Sequence, residues 1–68
     1  MSERQARLEL RDAELELAIL AEVDAAYHAA TALARLGDHA EIEAMHASIG
    51  RAGNHRAEAA RLSGVGDA

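Results

Sequence analysis

The chain has no cysteine, no proline, no tryptophan and no phenylalanine, and Tyr27 is its one aromatic residue. Without cysteine there can be no disulfide framework and no thiolate metal site. Without large aromatic side chains, a small core loses its usual source of buried area. Lysine is also absent, so all seven basic residues are arginine, against twelve acids, for a net charge of −5. That balance argues against direct binding of nucleic acid, which depends on basic groups displacing phosphate counterions. The arginine and alanine bias fits a GC-rich bacterial or phage genome. The first ten residues, MSERQARLEL, contain no apolar h-region, and no uncharged apolar run approaches the roughly 18 residues of a membrane span. The simplest expectation is a cytoplasmic protein with no membrane contact.

What is present is alanine, 18 of the 68 residues, together with leucine, glutamate and arginine. These are the strongest helix formers, and residues 3–36 hold neither glycine nor proline. The LEL and ELEL pieces alternate like a strand, but they lack β-branched residues and sit inside this longer pattern, so a strand is rejected. The expected fold is all-α: a helix over about 3–36, a turn at 37–38, and a second helix over about 39–62. Gly37 suits a left-handed position after a helix, and Asp38 with Glu41 three residues later reads as an N-cap and capping box. So short a break predicts an antiparallel helical hairpin. Gly50, Gly53 and Asn54 offer an alternative in which the second helix breaks near 50–54. Residues 1–68 form one small domain in this reading, with 63–68 as a flexible tail.

Two apolar stripes run along the first helix at 100° per residue. Leu8, Leu15, Ile19, Val23, Ala26, Ala30 and Leu33 form one; Leu10, Ala13, Leu17, Leu20 and Tyr27 form the other. The expected intrachain core joins Ala26, Ala30 and Leu33 to Ile42, Met45 and Ile49 of the second helix. The leucine-rich half of the first helix faces glycine, alanine and arginine across the hairpin. Leu8, Leu10, Leu15, Leu17, Ile19, Leu20, Val23 and Tyr27 are therefore the expected interface with another molecule. A homo-oligomer, a dimer first, would give a four-helix bundle; a larger protein partner would serve the same residues. Residues 1–11 carry net +1, residues 12–50 net −7 and residues 51–68 net +1 with histidine neutral, which favours antiparallel assembly.

Two other function classes are open to these residues. His28, Glu43 and His46 come to one level in a hairpin, and the Glu-x-x-His spacing puts a carboxylate and an imidazole on one face, as metal-binding bundles require. An acidic hairpin also suits an inhibitor that occupies a basic nucleic-acid-binding surface of a target protein. No nucleophile constellation accompanies the few hydroxyl side chains, and residues 50–53 lack the Lys-Ser/Thr ending of a phosphate loop. The expected function is accordingly a non-enzymatic protein–protein interaction module without a cofactor.

Overall fold

In a computed structural model, which describes residues 2–64, the chain is two α-helices packed against each other: α1, Glu3–Ala34, and α2, His39–Gly64. Ser2 starts α1 by accepting the Gln5 N–H at 3.1 Å, satisfying one of the donors a helix start leaves open. At about 1.5 Å per residue, 32 residues account for the 50 Å long axis of the molecule.

The reversal takes residues 35–38, not 37–38, because α1 ends at Ala34. Arg35 leaves helical geometry while its N–H still bonds the Thr31 carbonyl at 2.9 Å. Gly37 sits at φ 88°, the left-handed region that its sequence position predicts. Asp38 then closes the turn, donating its N–H to the Arg35 carbonyl and accepting the Glu41 N–H on its carboxylate at 3.3 Å. Only half of the expected capping box forms, since the Glu41 carboxylate reaches across to α1 instead.

α2 runs through Gly50 and Gly53 without a break. Both glycines lie on the solvent side, where the loss of a side chain costs no packing, and the alanines around them sustain the helix. Ser63 and Gly64, expected in the tail, complete the last turn, with the Ser63 hydroxyl bonded to the Ala59 carbonyl at 2.9 Å. The rest of the expected tail, 65–68, lies outside the described residues.

The seam between the helices differs from the expected core. Its members on α1 are Arg7, Arg11, Glu14, Ala18, Ala21, Ala25, His28 and Ala32, which alternate four and three residues apart and are all buried or half-buried. On α2 the same spacing picks out Glu41, Met45, Ser48, Ala52, His55, Ala59 and Leu62. This is the 3.5-residue repeat of a coiled coil, read in small and polar residues rather than leucines. Among the described residues the buried apolar ones are alanines alone: Ala18, Ala21, Ala25, Ala52 and Ala59. Of the expected intrachain core, Ile42 and Met45 are half-buried near the turn, whereas Ala26, Ala30, Leu33 and Ile49 are exposed. The physical reason is side-chain size: helix axes approach most closely where the facing residues are smallest, and this rotation also pairs the polar groups at the seam.

Two consequences are measurable. A Cβ placed on Gly50 or Gly53 meets no atom within 4 Å, whereas Gly37 holds a positive φ. Gly50→Ala and Gly53→Ala should each stabilise the chain by about 0.5–1 kcal/mol, and Gly37→Ala should destabilise it by about 1 kcal/mol or more, read as opposite shifts in thermal melting. Ala18→Leu should cost about 1–3 kcal/mol by overpacking the fully buried seam position. An equal or higher melting temperature for Ala18→Leu would show that the helices do not depend on close approach.

Candidate interaction surface

Two histidine–glutamate pairs tie the helices together across the alanine seam. Near the turn, the His28 Nδ1 lies 2.5 Å from the Glu41 Oε2; toward the other end, the His55 Nδ1 lies 2.6 Å from the Glu14 Oε2. The order inverts between them, with histidine on α1 in one pair and on α2 in the other. Both pairs are half-buried. They set the longitudinal register that alanine methyls alone would leave free to slide.

Between them, Ser48 is the one fully buried polar residue among those described. Its hydroxyl donates to the Asp24 Oδ2 at 2.5 Å, and Arg51 donates from one Nη2 to both the Ser48 Oγ, at 2.8 Å, and the Asp24 carboxylate, at 3.1 Å. Asp24 also lies 3.5 Å from the His28 Nε2. The Ser48 hydrogen bond, aided by the positive charges of His28 and Arg51, holds the Asp24 carboxyl below its ordinary range against the opposing effect of desolvation. On the other side of the seam, Arg56 pairs with Glu22 at 2.5 Å. These two crosslinks define the broad sides of the hairpin, one carrying Asp24 and Arg51 and the other Glu22 and Arg56.

The large apolar side chains stand outside this polar and alanine frame. On the Asp24 side, Leu10, Leu17, Leu20 and Tyr27 are 57%, 44%, 64% and 66% exposed. They share a helical row with Ala13 and Asp24, again at alternating spacings of three and four. Ile19 and Leu33 are exposed on the Glu22 side, with Ile49 across from them on α2, and Val23 is exposed on the back of α1. Leu8 and Leu15 are half-buried. Near the turn, Ala29, Leu33, Leu36, Ile42 and Met45 line an open apolar groove of about 340 Å³. Of the residues expected to meet another molecule, Leu10, Leu17, Ile19, Leu20, Val23 and Tyr27 are therefore open, whereas Leu8 and Leu15 are partly covered within the hairpin.

The metal-ligand set is not brought together. His28 is engaged by Asp24 and Glu41, while Glu43 and His46 are exposed on α2. Glu43 is two residues from the seam position Glu41, which turns it toward the outer side of the helix. Among the described residues, no group of three or more His, Asp or Glu side chains could hold a metal ion. Sequence reasoning missed the pairs Glu14–His55, Glu41–His28 and Glu22–Arg56, and the Asp24–Ser48–Arg51 cluster. The signal was the four–three spacing of small and polar residues; ranking stripes by side-chain size passed over it.

By length and composition α1 also meets the requirement for crossing a membrane, with 17% of its most apolar 18-residue stretch buried. Between Leu17 and Ala34 its acids are Glu22 and Asp24, and both are tied to arginines of α2.

The depressed Asp24 carboxyl gives a signed pH dependence. A carboxylate stabilised in the folded state contributes above its ordinary value of about 3.9 and loses that contribution as pH falls through the lower folded value. Wild-type protein should therefore lose more stability between pH 5 and pH 3 than Asp24→Asn. In Ser48→Ala, the Asp24 carboxyl inflection, followed by carbon NMR, should move upward toward the ordinary value. An unmoved inflection would mean that Ser48 is not what holds it.

Comparison with protein-family models, with curated proteins and with solved structures returned no match.

Proposed function

We propose that this chain is a non-enzymatic protein–protein interaction module, a helical hairpin whose exposed apolar side chains are its working surface. One observation carries the reading: the side chains the hairpin buries are alanine and serine, while Leu10, Leu17, Ile19, Leu20 and Val23 of α1 stay exposed. Burying a leucine contributes about 1.5–3 kcal/mol, whereas a single buried methyl contributes about 0.8 kcal/mol. A chain selected only to fold as an isolated hairpin would turn Leu17 and Leu20 inward. A helix that is apolar on several sides generally packs against more than one neighbour.

The assembled form that suits the surface is a four-helix bundle or similar oligomer, with a homodimer the simplest case and a helix of a larger protein the alternative. In this reading the chain works in the cytoplasm and needs no cofactor. Insertion of α1 into lipid is disfavoured because Glu22 and Asp24 would carry Arg56 and Arg51 of α2 with them. The buried Ser48 hydroxyl is committed to hydrogen bonds with Asp24 and Arg51.

A photo-crosslinking amino acid at Leu20, compared with the same probe at the outward-facing Glu43, tests the proposal in the native cell. Discrete crosslinked products from position 20 but not from position 43, whether to a second copy or to another protein, are expected. Identical product patterns from the two positions, or none from position 20, would overturn it.

A further inference from the structure

We infer that the occupant of the Asp24 side is a second copy of this chain, with α1 packed antiparallel against the partner's α1 about a two-fold axis between Leu17 and Leu20. The inference rests on the interaction reading above and specifies its partner.

Three observations carry it. The first is the row Leu10, Ala13, Leu17, Leu20, Asp24, Tyr27. It repeats the spacing of the intrachain seam but is displaced to the exposed side of α1, so the helix holds two coiled-coil seams and the hairpin fills one. The second is that this row is complementary to itself when reversed. Leu17 meets Leu20 of the other copy, Ala13 meets Asp24, and Leu10 meets Tyr27. The one polar side chain in the row thus lies opposite the smallest one. Asp24 enters the contact already neutralised by Arg51 and hydrogen-bonded to Ser48, so no unpaired charge is buried.

The third observation is shape and charge. The hairpin is a slab of 50 × 20 × 12 Å, so a broad side presents more than the roughly 800 Å² per partner of a standard stable interface. Arg4, Arg7 and Arg11 lie at one end of α1, and Asp38, Glu41 and Glu43 lie near the turn at the other end of the molecule. Antiparallel packing sets the arginine end of each copy beside the acidic end of its mate, whereas parallel packing would set like beside like. The two-fold also repeats every favourable contact, so the interface is isologous and closes at two copies.

The absence of native cysteine makes the test clean. Leu10→Cys and Tyr27→Cys chains, mixed in equal amounts and oxidised, should form the mixed disulfide. Leu10→Cys alone should not crosslink, since its two thiols stand about 25 Å apart along the axis in the antiparallel register. In parallel, sedimentation of untagged wild type should give a dimer, and Leu17→Glu should weaken it on the order of 100-fold or more, because the substitution enters the interface twice. If Leu17→Glu loses its helicity, Leu17→Ser should shift the dimer in the same direction without adding charge. A dimer that crosslinks Leu10→Cys to itself, or that forms no mixed disulfide, would overturn the antiparallel register. A helical monomer at every concentration would overturn the second copy as occupant. Products from position 20 to another protein would in that case leave the interaction reading standing.

Discussion

Everything in this molecule follows from the close approach of two helices along a row of alanines. Ala18, Ala21 and Ala25 on α1 and Ser48, Ala52 and Ala59 on α2 are the buried residues of that seam, and side chains this small bring the two backbones near each other. Close approach brings short-range dispersion contacts along the whole seam, but each methyl contributes little alone. It also fixes what cannot be in the seam. The middle of the seam has no room for leucine, isoleucine or tyrosine, and Leu10, Leu17, Ile19, Leu20, Val23 and Tyr27 stand on the flanks and the back of α1. The burial that normally accounts for most of a small domain's stability is thereby moved to the outside.

An alanine seam is smooth, and smooth seams slide. The polar groups placed along it supply the missing register. Glu14–His55 and His28–Glu41 span the two helices at separate levels, and Asp24, Ser48 and Arg51 add a third tie between them. Each is matched in length to its neighbour across the gap, so a shift by one helical turn would break all three at once. Specificity here comes from hydrogen bonds, and adhesion from packing. In the scheme proposed above, the greater part of the packing is completed by a second copy.

Much of the backbone was legible in the sequence. The run without glycine or proline at residues 3–36, Gly37, and Asp38 ahead of Glu41 locate two helices and a reversal, because local propensity and capping act on neighbouring residues. The rotation of each helix about its own axis was less legible. Ala26, Ala30, Leu33 and Ile49 lie on rows that look like a core when the largest apolar residues are assumed to face inward. Competition between two seams on one helix is decided by fit across the gap, which no single helix encodes. His28 shows the same limit: its spacing allows a metal ligand with Glu43 and His46, yet a rotation of α2 gives it Glu41 instead. The continuity of α2 past Gly50 and Gly53 was likewise set by tertiary packing of the alanines between and beyond them.

Each of those cross-helix ties joins α1 to α2, and residues 35–38 are all that make those ties internal to one chain. Straightening that link would leave the same pairs to be made with the α2 of a neighbouring molecule, at the same distances and with the same partners. Topologically the hairpin is a latch, and the left-handed glycine at position 37 is its hinge pin. A residue that favours continued helix there would tip the chain from folding back on itself toward exchanging arms with its neighbours.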